Sequence, residues 1–228
     1  MSDNKEIKPN TKHLILCEGI DEKLFFIRFL DYFKKKSTSD YDKYNEIQLE
    51  DIGGNEDIIK QFGVWKLVSG FDDLKTVGII RDAERNSAAA LQAIQNCFSR
   101  NDLPVPQDCF ELTGSNDSIK TVFGILPGTK SDSKWENGTL EDLCLRVLKD
   151  PRSSEKVNSL SMYLDQVQED FEYKIRHIHK AKLHTFFSSN EPFIGLKIGQ
   201  AAQSGAFDFE SDVLVNFKKM FDDMVNMD

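Results

Sequence analysis

The chain has 228 residues, 39% of them hydrophobic and 11% aromatic, enough to bury a full core without disulfide staples. Its 38 acidic residues outnumber 29 basic ones, and the formal charge of −9 counts against a protein that coats nucleic acid by broad electrostatic attraction. A local nucleic-acid site stays open, because an enzyme that meets a phosphodiester through bound metal also requires carboxylates.

The opening stretch, "MSDNKEIKPNTK", is polar and charged. It predicts a mobile tail over residues 1–10 and no signal peptide, and no later apolar run approaches the roughly 18 residues needed to cross a bilayer. "HLILCEG" is a short continuous apolar run ending in Glu-Gly, as in a strand buried on both faces of a sheet. "DEKLFFIRFLDYFKKK" predicts a helix with Asp21 as N-cap, with Leu24, Ile27, Leu30 and Phe33 along one side, and with three lysines at the negative end of its dipole. Its aromatics, Phe25, Phe26, Phe29 and Phe33, read as core packing. "EIQLEDI" makes a second strand, Gly53 and Gly54 a tight turn, and "NEDIIKQFGVWKLV" a second helix. "TVGIIRD" is the third strand, and "SAAALQAIQNCFSRN" the third helix, capped by Asn86 or Ser87. Further strands are expected in "CFELT" and "KTVFGILPG", after which Thr139 and Asp142 match a capping box opening the helix "LEDLCLRVL".

This alternation indicates right-handed βαβ units, hence an α/β domain over residues 11–149 with a mainly parallel sheet flanked by helices. Residues 150–228 read as a helical extension packed on it. "SSEKVNSLSMYLDQVQEDFEYKIRHIHKAKLHTFFSS" has long helical periodicity, "GLKIGQAAQSGAFDF" predicts a short helix ended by Gly205, and "SDVLVNFKKMFDDMVNM" a closing amphipathic helix. Within the long stretch, His177 and His184 fall two turns apart on one helical face while His179 points elsewhere, which is poor metal geometry. With Lys174, Arg176, Lys180 and Lys182 they form a basic face that either meets phosphates or pairs with the preceding "DQVQEDFE". A partner protein or a homodimer through these helices is a further expectation. The four cysteines, Cys17, Cys97, Cys109 and Cys144, are far apart and form no C-x-x-C pair. They suggest a reducing compartment, and the expected location is cytoplasmic.

Ligands of a parallel α/β sheet bind beyond the carboxyl ends of its strands. Glu18 ends the first strand, and Asp82 and Glu84 end the third; if those strands are neighbours, the three carboxylates converge within metal-binding distance. Hard cations such as Mg2+ take oxygen ligands of this kind. Plainer readings stand beside this one: Glu18 as a strand-end acid beside a turn glycine, Asp82 and Glu84 as acids favoured near a helix start, Asp21 as an N-cap. Glu141 and Asp142 are read as structural, through first-turn placement and the capping box.

"LILCEGIDEKLF" resembles the glutamate motif of the Toprim domain, and "VGIIRDAERN" resembles its second motif, a strand ending in Asp-x-Asp, written here as Asp-x-Glu. The likeness covers roughly residues 11 to 127. The whole chain is similar to a bacterial group of small stand-alone Toprim-like proteins of uncharacterised function, through "IRDAERN", "LPG" and "GTLEDLCL". The resemblance implies a Rossmann-like Toprim sheet in which Glu18 acts as general acid or base. It implies Mg2+ or Mn2+ on Asp82 and Glu84, with Asp21 as a further ligand, and a phosphate near Gly19, Lys23, Gly53 and Gly54. The implied activity is metal-dependent hydrolysis of phosphodiesters, with nucleic acid as partner at a local site. A non-catalytic Toprim-like scaffold or nucleotide-binding module is the alternative, favoured by the net charge and the missing second aspartate. A third option, hydrolysis of a small phosphorylated metabolite, would require a closed pocket instead of an open groove.

Overall fold

The computed structural model describes residues 5–36, 40–54 and 58–226. Strands β1 (His13–Cys17), β2 (Ile47–Asp51), β3 (Thr76–Asp82) and β4 (Lys120–Leu126) form one all-parallel sheet in the order β2-β1-β3-β4. Every residue of β1 is buried, and so are the first six of β3, which is why these strands read as unbroken apolar runs. Helices α1 (Ile20–Lys36), α2 (Ile58–Lys66) and α3 (Ser87–Arg100) connect the strands as in a Rossmann-like fold. Strand order reverses between β1 and β3, the position at which such sheets take ligands.

Helix α3 is capped by Asn86, whose Oδ1 accepts a hydrogen bond from the Ala89 N–H at 3.0 Å. Asp21 is not an N-cap. The Lys23 N–H already reaches the Gly19 carbonyl, at 3.2 Å, so α1 starts at Ile20 and Asp21 lies within its first turn. The start expected for the second helix at residues 55–57 lies outside the described residues.

Strand β4 leads into a hairpin of β5 (Lys130–Ser131) and β6 (Lys134–Trp135) and then into α4 (Leu140–Arg146). The capping box is present, with the Thr139 N–H donating to Asp142 Oδ2 at 2.8 Å. The segment "CFELT" is not a strand. Phe110 has φ +65°, which interrupts extended backbone, and only Thr113 forms an isolated antiparallel bridge, to Thr121.

The long helical stretch is two helices, α5 (Ser153–Asp170) and α6 (Ile178–Ser188). Glu172 turns left-handed at φ +48°, and Gln168 Oε1 accepts from the Ile175 N–H at 2.9 Å, giving the backbone a partner outside a helix. Helices α7 (Ile198–Gln203) and α8 (Val215–Val225) follow, with Gly205 at φ +81° just beyond α7. Of the tail expected over residues 1–10, residues 1–4 lie outside the described residues. Residues 5–10 run beside Gln48, whose side chain accepts from the Lys8 N–H and donates to the Glu6 carbonyl, both at 2.8 Å.

One core joins the sheet to the C-terminal helices. The Phe26 ring lies 4.9 Å from Phe217 and 6.0 Å from Phe221 of α8, and Phe25 lies 5.4 Å from Phe207, so the aromatic side of α1 is the surface on which the extension packs. All four cysteines are buried, and none forms a disulfide. No helix among the described residues is long and apolar enough to cross a membrane.

Phe26→Ala is expected to lose about 3–5 kcal/mol of unfolding free energy in urea titrations, because it opens a cavity at this junction. Phe171→Ala, at a ring 75% exposed, should change it by no more than about 0.5 kcal/mol.

Candidate functional site

Strands β1 and β3 are hydrogen-bonded neighbours with Cys17 opposite Ile80, so both chains leave the sheet at the same level. The Glu18 N–H donates to the Ile80 carbonyl at 2.9 Å. In return the Asp82 N–H donates to Glu18 Oε2 at 3.2 Å, and Arg81 Nε lies 3.4 Å from the same oxygen. Two more carboxylates close on this point. A Cβ on Gly19 would lie 2.9 Å from Glu22 Oε2, so the glycine leaves room for Glu22 to fold back over the start of α1. From the other side, the Leu140 N–H of α4 donates to Asp82 Oδ1 at 2.9 Å and brings in Glu141, which is only 6% exposed.

The acids raise one another's pKa. Burial, and then the charges of Glu22, Glu18 and Glu141, push Asp82 up to about 9, against the hydrogen bond from Leu140. Burial and the charges of Glu18, Glu141 and Asp21 push Glu22 up to about 7. Glu18 is also raised, chiefly by burial, with Arg81 opposing. At neutral pH Asp82 therefore holds a proton.

The other expected residues are spread around this cluster. Asp21 lies beside it with Oδ1 buried and without a hydrogen-bond partner among the described residues. Glu84 is exposed, with φ +52° and its backbone bridged to Gly138 in both directions at 2.8 and 2.9 Å. It lines a groove of about 360 Å³ with Asp82, Arg81, Arg85, Asn86 and the alanine face of α3. Lys23 turns away from Glu18 and forms an ion pair with Glu50, lining a second cleft of about 440 Å³ together with Gly53 and Trp65. Gly53 and Gly54 have φ +82° and +103°, and the Gly54 N–H donates to the Glu18 carbonyl at 2.9 Å, so their conformation closes the turn behind the site. Among the described residues no three His, Cys, Asp or Glu side chains stand close enough together to hold one metal ion.

Glu22, Glu141 and Lys180 were not anticipated as site residues. Glu22 sits four residues after Glu18, a spacing that could have signalled it, and Glu141 lies in "TLED", where first-turn placement accounted for it. The basic stretch stays beside "DQVQEDFE" through its backbone, the Ile175 N–H donating to Gln168 Oε1 at 2.9 Å. Lys180 Nζ is 3.4 Å from Glu141 Oε1, and His179 Nδ1 is 2.5 Å from Asp142 Oδ1, so α6 sets these two side chains against α4. His177 precedes α6 and so does not share a helical face with His184.

Folded Asp82 holds its proton more tightly than an unfolded Asp, whose pKa is about 3.9. The stabilisation from that proton is complete below about pH 4, declines as pH rises, and is gone above about 9. Wild-type stability should thus fall between pH 6 and 9, by roughly 1 kcal/mol per pH unit. Asp82→Asn should flatten that slope and melt higher than wild type at pH 8, as measured by thermal denaturation across pH.

A family described as "Protein of unknown function (DUF3226)" matches residues 12–226, and the chain belongs to it. No curated protein and no solved structure matches the chain.

Proposed function

We propose that the strand-end carboxylates form a divalent-cation site for the hydrolysis of phosphodiesters in nucleic acid. The observation that carries this reading is the coupling of Asp82 to Glu22, Glu18 and Glu141 at the switch point of a parallel sheet. Gathering four carboxyl groups at one point is costly to a fold, and such perturbed groups concentrate at functional sites.

The donor set fits a hard cation. Every donor is a carboxylate oxygen, and the unpartnered Asp21 Oδ1 beside the cluster is a buried acceptor without a donor among the described residues. Mg2+ takes only one or two protein carboxylates, with water and substrate phosphate completing its shell, so three convergent side chains are not required. Asp82 and Glu22 would hold the ion, with Glu141 beside them. Bound there, it would neutralise charge on a phosphoryl oxygen.

The chain's own residues supply the rest. Glu18 Oε2, held by Arg81 and the Asp82 N–H, is fixed in orientation, and its raised pKa suits it to move a proton to or from a reacting oxygen. The groove beside Asp82 favours a polymer over a small enclosed metabolite. Glu84, Arg85 and Asn86 are exposed along it, and Ala89 and Ala93 let a strand approach α3 closely. A second reading, a nucleotide- or partner-binding module without cleavage, is favoured by the position of Glu84, which is exposed on the rim although its charge still acts on Glu18.

Calorimetric titration with Mn2+ tests the site. Wild type should bind in the micromolar to sub-millimolar range and Asp82→Asn should not, while Glu18→Gln should keep Mn2+ affinity and lose cleavage of single- or double-stranded DNA at least about 100-fold. No heat with wild type would sink the metal site. Binding without any cleavage would favour the second reading.

A further inference from the structure

We infer that Lys180 is a phosphate-positioning residue, parked on Glu141 in the free protein and released to the substrate's phosphate when a divalent cation occupies the carboxylates. The inference rests on the reading of the site as a metal-dependent phosphodiesterase.

Lys180 Nζ lies 3.4 Å from Glu141 Oε1, and the two side chains differ sharply in exposure, 60% for the lysine against 8% for the glutamate. The ammonium therefore stands at the mouth of the cluster, between solvent and buried acids. The charges of Asp82 and Glu22 act on it as well as that of Glu141. Helix α6 is fixed in this position independently of that contact. His179 meets Asp142 on the neighbouring residue of α4, and Leu183 one turn further on is fully buried.

An ion pair with one exposed partner contributes little net stability, so it exchanges readily. A divalent cation on Asp82 and Glu22, with Glu141 beside it, would compete for the charge that holds Lys180 and would also repel its ammonium. The flexible lysine stem then leaves three N–H donors at the mouth, where an incoming phosphate supplies the missing anion. Arg81, the other cation on the cluster, is buried against Glu18 and cannot take this part.

The test compares Lys180→Gln and Lys180→Arg with wild type, using Mn2+ alone and then thymidine 5′-monophosphate in the presence of Mn2+. Loss of the competing cation should tighten Mn2+ binding by roughly three- to tenfold in Lys180→Gln and weaken nucleotide binding by a similar factor. Lys180→Arg should restore both. These opposite signs separate a positioning role from a structural one, since a damaged α6 would weaken both ligands together. Unchanged nucleotide affinity in Lys180→Gln, or a shift of both ligands in one direction, would overturn the inference. If Asp82→Asn abolishes Mn2+ binding while Lys180→Gln matches wild type, the metal site stands and Lys180 drops out of it. If neither wild type nor Lys180→Gln binds Mn2+, the reading of the site and the inference fall together.

Discussion

Glu18 and Asp82 meet because β1 and β3 run parallel and side by side in a register that opposes Cys17 with Ile80. β1 is buried throughout and β3 over its first six residues, so the carboxylates stand where the backbone leaves the sheet, and this register makes both exits coincide. A slip of one residue would turn every side chain of β1 to the opposite face. The other contacts of the site hang on that pairing. The Asp82 N–H reaches Glu18 Oε2, α1 starts where Glu22 can fold back over Gly19, and the bridge between Glu84 and Gly138 delivers α4 to Asp82.

The electrostatic consequence is a concentration of negative charge that the fold only partly neutralises. Arg81 answers Glu18 from within, Lys180 answers Glu141 from outside, and Asp82 stays protonated at neutral pH. Two of these devices, the Asp82 proton and the Lys180 charge, share one property, which is that a bound cation could replace them. A bound metal would discharge the proton from Asp82, free Lys180, and leave Glu18 fixed by Arg81. The aromatic junction between α1 and α8 supplies stability at a distance from this strained region, so the site can hold repelling groups without the domain coming apart.

Much of this was legible in the sequence, because burial on two faces leaves continuous apolar runs such as "HLILC" and "TVGII", and Asn86 or Asp142 at a helix start is a local signal. The sheet, its first three helices and the strand-end acids Glu18 and Asp82 follow from such signals. Other features depend on contacts that no window of sequence contains. The break between α5 and α6 keeps its apolar spacing through Phe171 and Ile175 while Glu172 turns left-handed, and Phe110 does the same to the run "CFELT". Glu141 is at once a favourable first-turn acid and a buried neighbour of Asp82, and only the packing of α4 against β3 distinguishes the two. In the sequence Lys180 is one cation of a basic face, and only the packing of α6 against α4 sets it on Glu141.

The central claim is that Asp82 is a half-buried acid whose proton is exchangeable for a metal ion. Carboxyl-carbon NMR of selectively labelled protein, followed through pH with and without Mg2+, addresses it directly. The account requires Asp82 to titrate far above the ordinary range, near 9, in the absence of metal, and to lie ionised at neutral pH once Mg2+ is added. An Asp82 carboxyl that titrates near 4 without metal and is indifferent to Mg2+ would contradict it.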